Sequence, residues 1–208
     1  MKKLYKQLKY SWHVMMHPID GFYELQYLEK GSVLSATILI AAFLSCVIVN
    51  EKITNFVFNL NGLKDTSPIQ LFVYCIVPLF IWVLSNYLVG AITNGQGSFK
   101  TIYITTAYAL LPYICFSIPI AIVSNVLTDA EETIYGFLVF VVNAWVVIML
   151  YLQVKEVQEY EIYESFKNIV LIIFTAILII IFSVALYGIV LQSYSFLIEF
   201  LREVLAYD

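Results

Sequence analysis

Charge is what this chain has least of. Only 12% of its 208 residues are Asp, Glu, Lys or Arg and 62% are hydrophobic, whereas a soluble domain carries about 25% charged residues and under half apolar ones. One soluble core cannot take up that much apolar surface. Charged residues are missing altogether from 31–50, 66–99, 101–128, 133–154 and 168–198. Each gap is long enough for a helix of about 20 residues to cross a hydrocarbon layer of roughly 30 Å. Cysteine is scarce and odd in number: Cys46, Cys75 and Cys115 all fall inside these gaps, without metal-ligand spacing, and read as small buried hydrophobes. Glycine is scarce too, and the Gly95-Gln96-Gly97 pair of glycines lacks the third glycine and the strand-to-helix setting of a dinucleotide loop. No G-x-S-x-G nucleophile elbow occurs.

What is present predicts an all-α integral membrane protein, a five-helix transmembrane bundle. Helices are expected because every backbone polar group in lipid must be satisfied within its own segment, and the ten-residue alternation of a membrane barrel is absent. The spans are expected at about 31–50, 69–92, 102–127, 133–153 and 168–191. With the N-terminus inside, the inner segments hold Lys2, Lys3, Lys6, Lys9, Lys30, Lys100, Lys155 and Lys167, and the outer ones Lys52, Lys64 and Arg202. This imbalance predicts a multi-pass protein of the cell membrane with a cytosolic N-terminus and an extracytosolic C-terminus. The first apolar run has the length of a full span, so it is expected to act as an uncleaved anchor.

Two amphipathic ends flank the membrane domain of 31–191. In the cytosolic segment 1–30, Leu4, Leu8, Trp12 and Met15 recur at helical spacing and Lys2, Lys3, Lys6 and Lys9 supply basic charge, the pattern of a helix lying on a membrane surface. Pro18 is expected to end that helix, and Phe22, Tyr23 and Tyr27 suit the headgroup zone. At 192–208, Phe196, Leu197, Phe200, Leu201, Val204 and Leu205 alternate with Glu199, Arg202 and Glu203, predicting an outer amphipathic tail. Pro78, Pro112 and Pro119 lie within spans and should kink them. The connector 154–167, with Lys155, Lys167 and four glutamates, reads as a solvated helical continuation of the fourth span.

Chemistry inside a membrane needs ionisable groups there, and the five runs have none. His13 and His17 lie four apart with Asp20 nearby, a spacing that could hold a metal, but Pro18 directly after His17 breaks the helix, the glutamate of an H-E-x-x-H motif is missing, and no metal or other cofactor is expected. The spans instead carry the neutral amides Asn86, Asn125 and Asn143, expected to act as interhelical hydrogen-bond glue.

The stretch "NGQGSFKTIYITTAYALLPY", a Gly-x-Gly-Ser-Phe-Lys turn followed by a helix with Ala-Tyr-x-x-x-Pro, resembles the bacterial branch of the Yip1 domain family. Gly95, Gly97, Ser98, Phe99, Lys100, Tyr108 and Pro112 carry the likeness; "HPIDGFYELQYLEKGS" and "YLQVKEVQEYEIYESFKN" agree with it. The resemblance implies five spans and a cytosolic N-terminus. Eukaryotic members are trafficking adaptors that bind prenylated small GTPases, but their Asp-Leu-Tyr-Gly-Pro motif is missing; Asp20-Gly21-Phe22-Tyr23 is its only echo. The family brings no catalytic residue.

The reading is a non-enzymatic adaptor or assembly partner. Its partners are the lipid bilayer and a membrane protein reached through the N-terminal helix, the turn 93–100 and the connector 154–167; nucleic acid is not among them, and self-association stays open. The alternative is a permease for a small molecule or lipid, with a neutral path past Asn86, Asn143, Tyr108 and the Pro112 to Pro119 kinks.

Overall fold

The computed structural model describes residues 2–28, 30–55, 58 and 67–206, and all regular structure among them is helical. The chain runs α1 (Lys2–Met16), α2 (Pro18–Tyr27), α3 (Val33–Ile53), α4 (Pro68–Ile92), α5 (Phe99–Ala109), α6 (Leu111–Ser124), a 3-10 turn (Asp129–Glu131), α7 (Glu132–Gln158) and α8 (Ile162–Ala206). Serine sets three of the starts. Ser32 and Ser35 form a reciprocal capping box at α3, Ser67 and Gln70 another at α4, and the Ser98 hydroxyl accepts the Thr101 N–H at α5, each occupying an orphan donor of a first turn. The outer loop expected at 50–68 lies mostly outside the described residues.

Among the described residues five stretches are long and apolar enough to cross a membrane: Val33–Ile53, Ile69–Ile92, Phe99–Ser124, Glu132–Gln158 and Ile162–Glu199. The 21 residues of α3 reach about 32 Å at 1.5 Å per residue, the thickness of the hydrocarbon layer. The third span is the hub. Half of its apolar stretch is buried inside the bundle, against 6% for α8, and it packs against α3, α4 and α7.

Several boundaries differ from those expected. The third span is broken at Leu110 rather than bent at Pro112, which takes the first turn of a new helix, α6, and is buried there. Without an N–H, Pro112 cannot continue the ladder of α5, and its ring opposes the carbonyl four residues back. By contrast α4 and α6 stay helical through Pro78 and Pro119. No break separates a tail at 192–208 from the fifth span, because α8 continues to Ala206; the side chains from Phe200 onward, including Arg202, lie outside the described residues. Pro18 ends α1 as expected but also opens α2, where it sits at the first helical position, a place that needs no N–H.

In the N-terminal segment α1 and α2 form a hairpin docked on the bundle: Val14, Met15, Phe22 and Leu25 join the main core with Ala36, Ile102, Tyr108 and Met149. Gly21 makes the hairpin tight, since a Cβ there would lie 2.8 Å from Val14 Cα. Trp12, on the apolar stripe expected to face the membrane, is 56% exposed, whereas the polar Gln7 is buried. The reason is that the bundle offers Gln7 hydrogen-bond partners, which hydropathy alone does not register.

Candidate functional site

The polar groups cluster where α4, α5 and α7 meet on the N-terminal side. Gln158, the last residue of α7, inserts its side chain into the turn between α4 and α5. Its Oε1 accepts the Gly97 N–H at 3.0 Å and its Nε2 donates to Asn86 Oδ1 at 2.9 Å. Three glycines make room for it. A Cβ on Gly90, Gly95 or Gly97 would lie 2.6, 2.2 and 3.0 Å from the Gln158 amide, so Gly95 and Gly97 serve close approach. The left-handed turn conformation falls instead to Asn94, φ 58°, and no described glycine has positive φ.

From Gln158 the bonding continues into the bundle. Asn86 Nδ2 donates to Gln153 Oε1 at 3.3 Å, Gln153 Nε2 donates to Thr105 Oγ1 at 3.1 Å, and the Thr105 hydroxyl donates to Thr101 O at 2.8 Å. Asn86, Gln153, Gln158 and Thr105 are all buried. Such a chain satisfies its amides pairwise across three helices, each interhelical bond being worth about 0.6–2 kcal/mol. Beside it the Tyr160 hydroxyl meets that of Thr93, and Tyr160 packs with Val89, Val154 and Ile172; burial pushes its phenol above the usual range. The connector 154–167 is therefore not simply solvated. Val154, Val157, Gln158, Tyr160 and Ser165 are buried, whereas Glu159, Glu161 and Glu164 face outward together with Ile162, Tyr163, Phe166 and Lys167. Lys155 pairs with Glu156 at 2.6 Å.

A second group pins the hairpin. The Tyr108 hydroxyl lies 3.3 Å from Gln7 O and 3.2 Å from Ser35 Oγ, while Ser32 Oγ donates to Gln7 Oε1 at 2.8 Å. Tyr108 is fully buried, and its one polar atom joins α5 to both α1 and α3. At the hairpin edge Glu24 accepts from Lys30 Nζ at 2.6 Å and from the Tyr10 hydroxyl. The Lys30 hydrogen bond, seconded by Tyr10, holds the Glu24 carboxyl below the usual carboxylate range, and Lys30 Nζ stands 4.9 Å from the Tyr10 ring centroid.

The remaining sequence candidates lie apart from these groups. Asn125 is not within the span but caps α6 at its far end, donating to Ile53 O at 2.8 Å. Asn143 is exposed on α7, at a small cleft of about 30 Å³ shared with Asn50, Tyr113 and Ser117. Asn86, Tyr108 and Asn143 thus belong to three separate sets of contacts. Phe99 sits edge-on to Tyr87, 5.7 Å between centroids, and Lys100 is exposed beside it, as are Lys6 and Lys9 on α1; the side chains of Lys2 and Lys3 lie outside the described residues. The His13 and His17 rings stack at 5.1 Å, and no metal-holding group of three or more His, Cys, Asp or Glu occurs among the described residues.

Sequence reasoning missed Gln153, Gln158 and Thr105. The available signal was an amide at each of two positions five apart in "LQVKEVQEY", opposite a glycine-rich turn. A family model, the Yip1 domain, matches residues 12–187. The chain belongs to the Yip1 domain family. No curated protein and no solved structure matches it. The matched Yip1 domain takes in α2, the first four spans, the fifth as far as Tyr187 and the Gln158 cluster, together with the last turn of α1 from Trp12 onward. Outside it lie the lysine-bearing first turns of α1 and the C-terminal part of α8.

Proposed function

We propose that this Yip1 domain protein is a non-enzymatic adaptor of the cell membrane, with a cytosolic N-terminus and an extracytosolic C-terminus, that holds a membrane-protein partner on its N-terminal side. The observation that carries the reading is the docked α1–α2 hairpin. One face is bolted to the bundle through Val14, Met15 and Phe22, and the other presents Trp12, Ile19, Tyr23 and Tyr27, each about half exposed. A rigid platform of exposed aromatics suits protein contact, where Trp and Tyr are enriched. The polar groups buried between the spans supply helix-to-helix bonds, and the residues expected to line a permease path are dispersed.

A photo-crosslinking amino acid at Trp12 or Tyr23, in native membranes, is expected to capture one defined protein. Capture of lipid alone at both positions would return the hairpin to the role of a membrane-surface anchor.

A further inference from the structure

A second feature of the N-terminal side points to a small ligand. Between the hairpin and the starts of α3 and α5 lies a cavity of about 520 Å³, lined by Gln7, Gln26, Ser32, Leu34, Lys100 and Thr101 among others. The first turns of two spans form its wall. Ser32 and Ser98 occupy the N–H groups of Ser35 and Thr101, and the ladders begin only at Ala36 and Ile102. The amides of Val33, Leu34 and Lys100 are therefore left without intrahelical acceptors, at helix ends whose dipoles favour an anion. Lys100 adds a full positive charge, and among the described residues it makes no ion pair and no Asp or Glu lines the cavity.

Two glutamines show that the cavity is built for something polar. Gln7 is 6% exposed; its Oε1 accepts from Ser32, but its amide nitrogen has no acceptor among the described residues. The Oε1 of Gln26 is buried with no donor. A buried acceptor with no donor is costly, so a ligand hydroxyl relieves Gln26, while a ligand acceptor atom takes the N–H groups that Gln7 leaves open. A phosphate oxygen answers the Gln7 amide, the helix N–H groups and Lys100; a hydroxyl answers Gln26.

We infer that this cavity binds the headgroup of an anionic, hydroxyl-bearing phospholipid, its phosphodiester between the first turns of α3 and α5 beside Lys100. Lipid rather than free phosphate is indicated by depth and surroundings. The cavity sits at the level where two spans enter the membrane, and Leu34, 62% exposed, and Val33, 45% exposed, border it with apolar surface for acyl chains. This ligand site is separate from the partner face of the hairpin, so either reading can fail without the other.

The test uses the full-length protein in detergent, with native mass spectrometry reading bound dioctanoyl phosphatidylglycerol. Dioctanoyl phosphatidylcholine and glycerol 1-phosphate are the competing probes. Phosphatidylglycerol is expected to bind at least about fivefold tighter than phosphatidylcholine, which lacks the hydroxyl and the net charge, and Lys100→Gln is expected to abolish that preference. Lys52→Gln, at the far end of α3, is expected to keep it. Lys100 is exposed, so its variant should melt with the parent. Equal binding of the two lipids, an unchanged preference in Lys100→Gln, or binding of glycerol 1-phosphate with no preference for the lipid would each overturn the inference.

Discussion

At the residue scale the informative positions are the smallest and the most ordinary. Gly95 and Gly97 look in the sequence like a loop for a ligand or a reverse turn, yet their missing side chains are filled by Gln158. Replacing either with Ala puts a methyl within 3.0 Å of the Gln158 amide, and overpacking of this kind costs about 1–3 kcal/mol. Gly95→Ala and Gly97→Ala should therefore lower the melting temperature of the detergent-purified protein. Gly136→Ala should not, because nothing lies within 4 Å of a Cβ there and a helix interior favours Ala; equal loss at all three would show that the Gln158 cradle is not what the turn glycines serve. Asn86 was legible as interhelical glue from its type and place in an apolar run. Its partners Gln153 and Gln158 were not, since the identity of a partner depends on which helices become neighbours.

At the element scale, the hairpin is the piece whose attachment responds to pH. Glu24 joins Lys30 and Tyr10 and also feels His13. Because its pKa is lowered in the folded state, the stabilisation it gives is complete above the usual carboxylate range and is lost as pH falls through the lowered value. The protection of the α1 amides against hydrogen exchange, in nanodiscs and with each rate divided by its intrinsic value at that pH, should consequently fall on acidification below that range. In Glu24→Gln the same acid-dependent step should be missing; its persistence there would assign the step to another group. The helical nature of α1 was readable from periodicity, but the face it buries was not. Leu4, Leu8, Trp12 and Met15 define a stripe, while the docked surface uses Gln7, Val14 and Met15, because a bundle with hydrogen-bonding groups selects differently from a bilayer.

Across the whole molecule, five spans place the α4–α5 turn and the α7–α8 junction on the side of the hairpin. The Gln158 cluster depends on this, as it joins those two connections. Cysteine-accessibility mapping at the exposed positions 96 and 161 should find both on the same side as the N-terminus, and residues 130 and 208 on the other. Accessibility of 96 and 161 from opposite sides would break the five-span arrangement. The bundle is not evenly packed: α8 touches α4 and α7 near its start, through Ser165, Asn168 and Ile172, and between Ile173 and Leu197 its apolar side chains are exposed apart from the half-buried Ala176 and Ile179. Its mean hydropathy of 3.3, the highest of the five spans, fits a helix whose surface is covered by lipid rather than by its neighbours.

Hydropathy and charge alone determined that this chain is helical, crosses a membrane five times and carries no charge inside it, because the cost of placing bare backbone or an ion in hydrocarbon overrides local detail. The glycine-rich turn and the Tyr108 to Pro112 stretch also carried the family. Only the tertiary structure decided that the third span breaks at Leu110, that the N-terminal segment is a docked hairpin, and that Gln158 closes two connections at once. Those outcomes rest on hydrogen bonds and close contacts between residues as far apart in the chain as Gln7 and Tyr108, and no pattern along one segment can specify what stands opposite it.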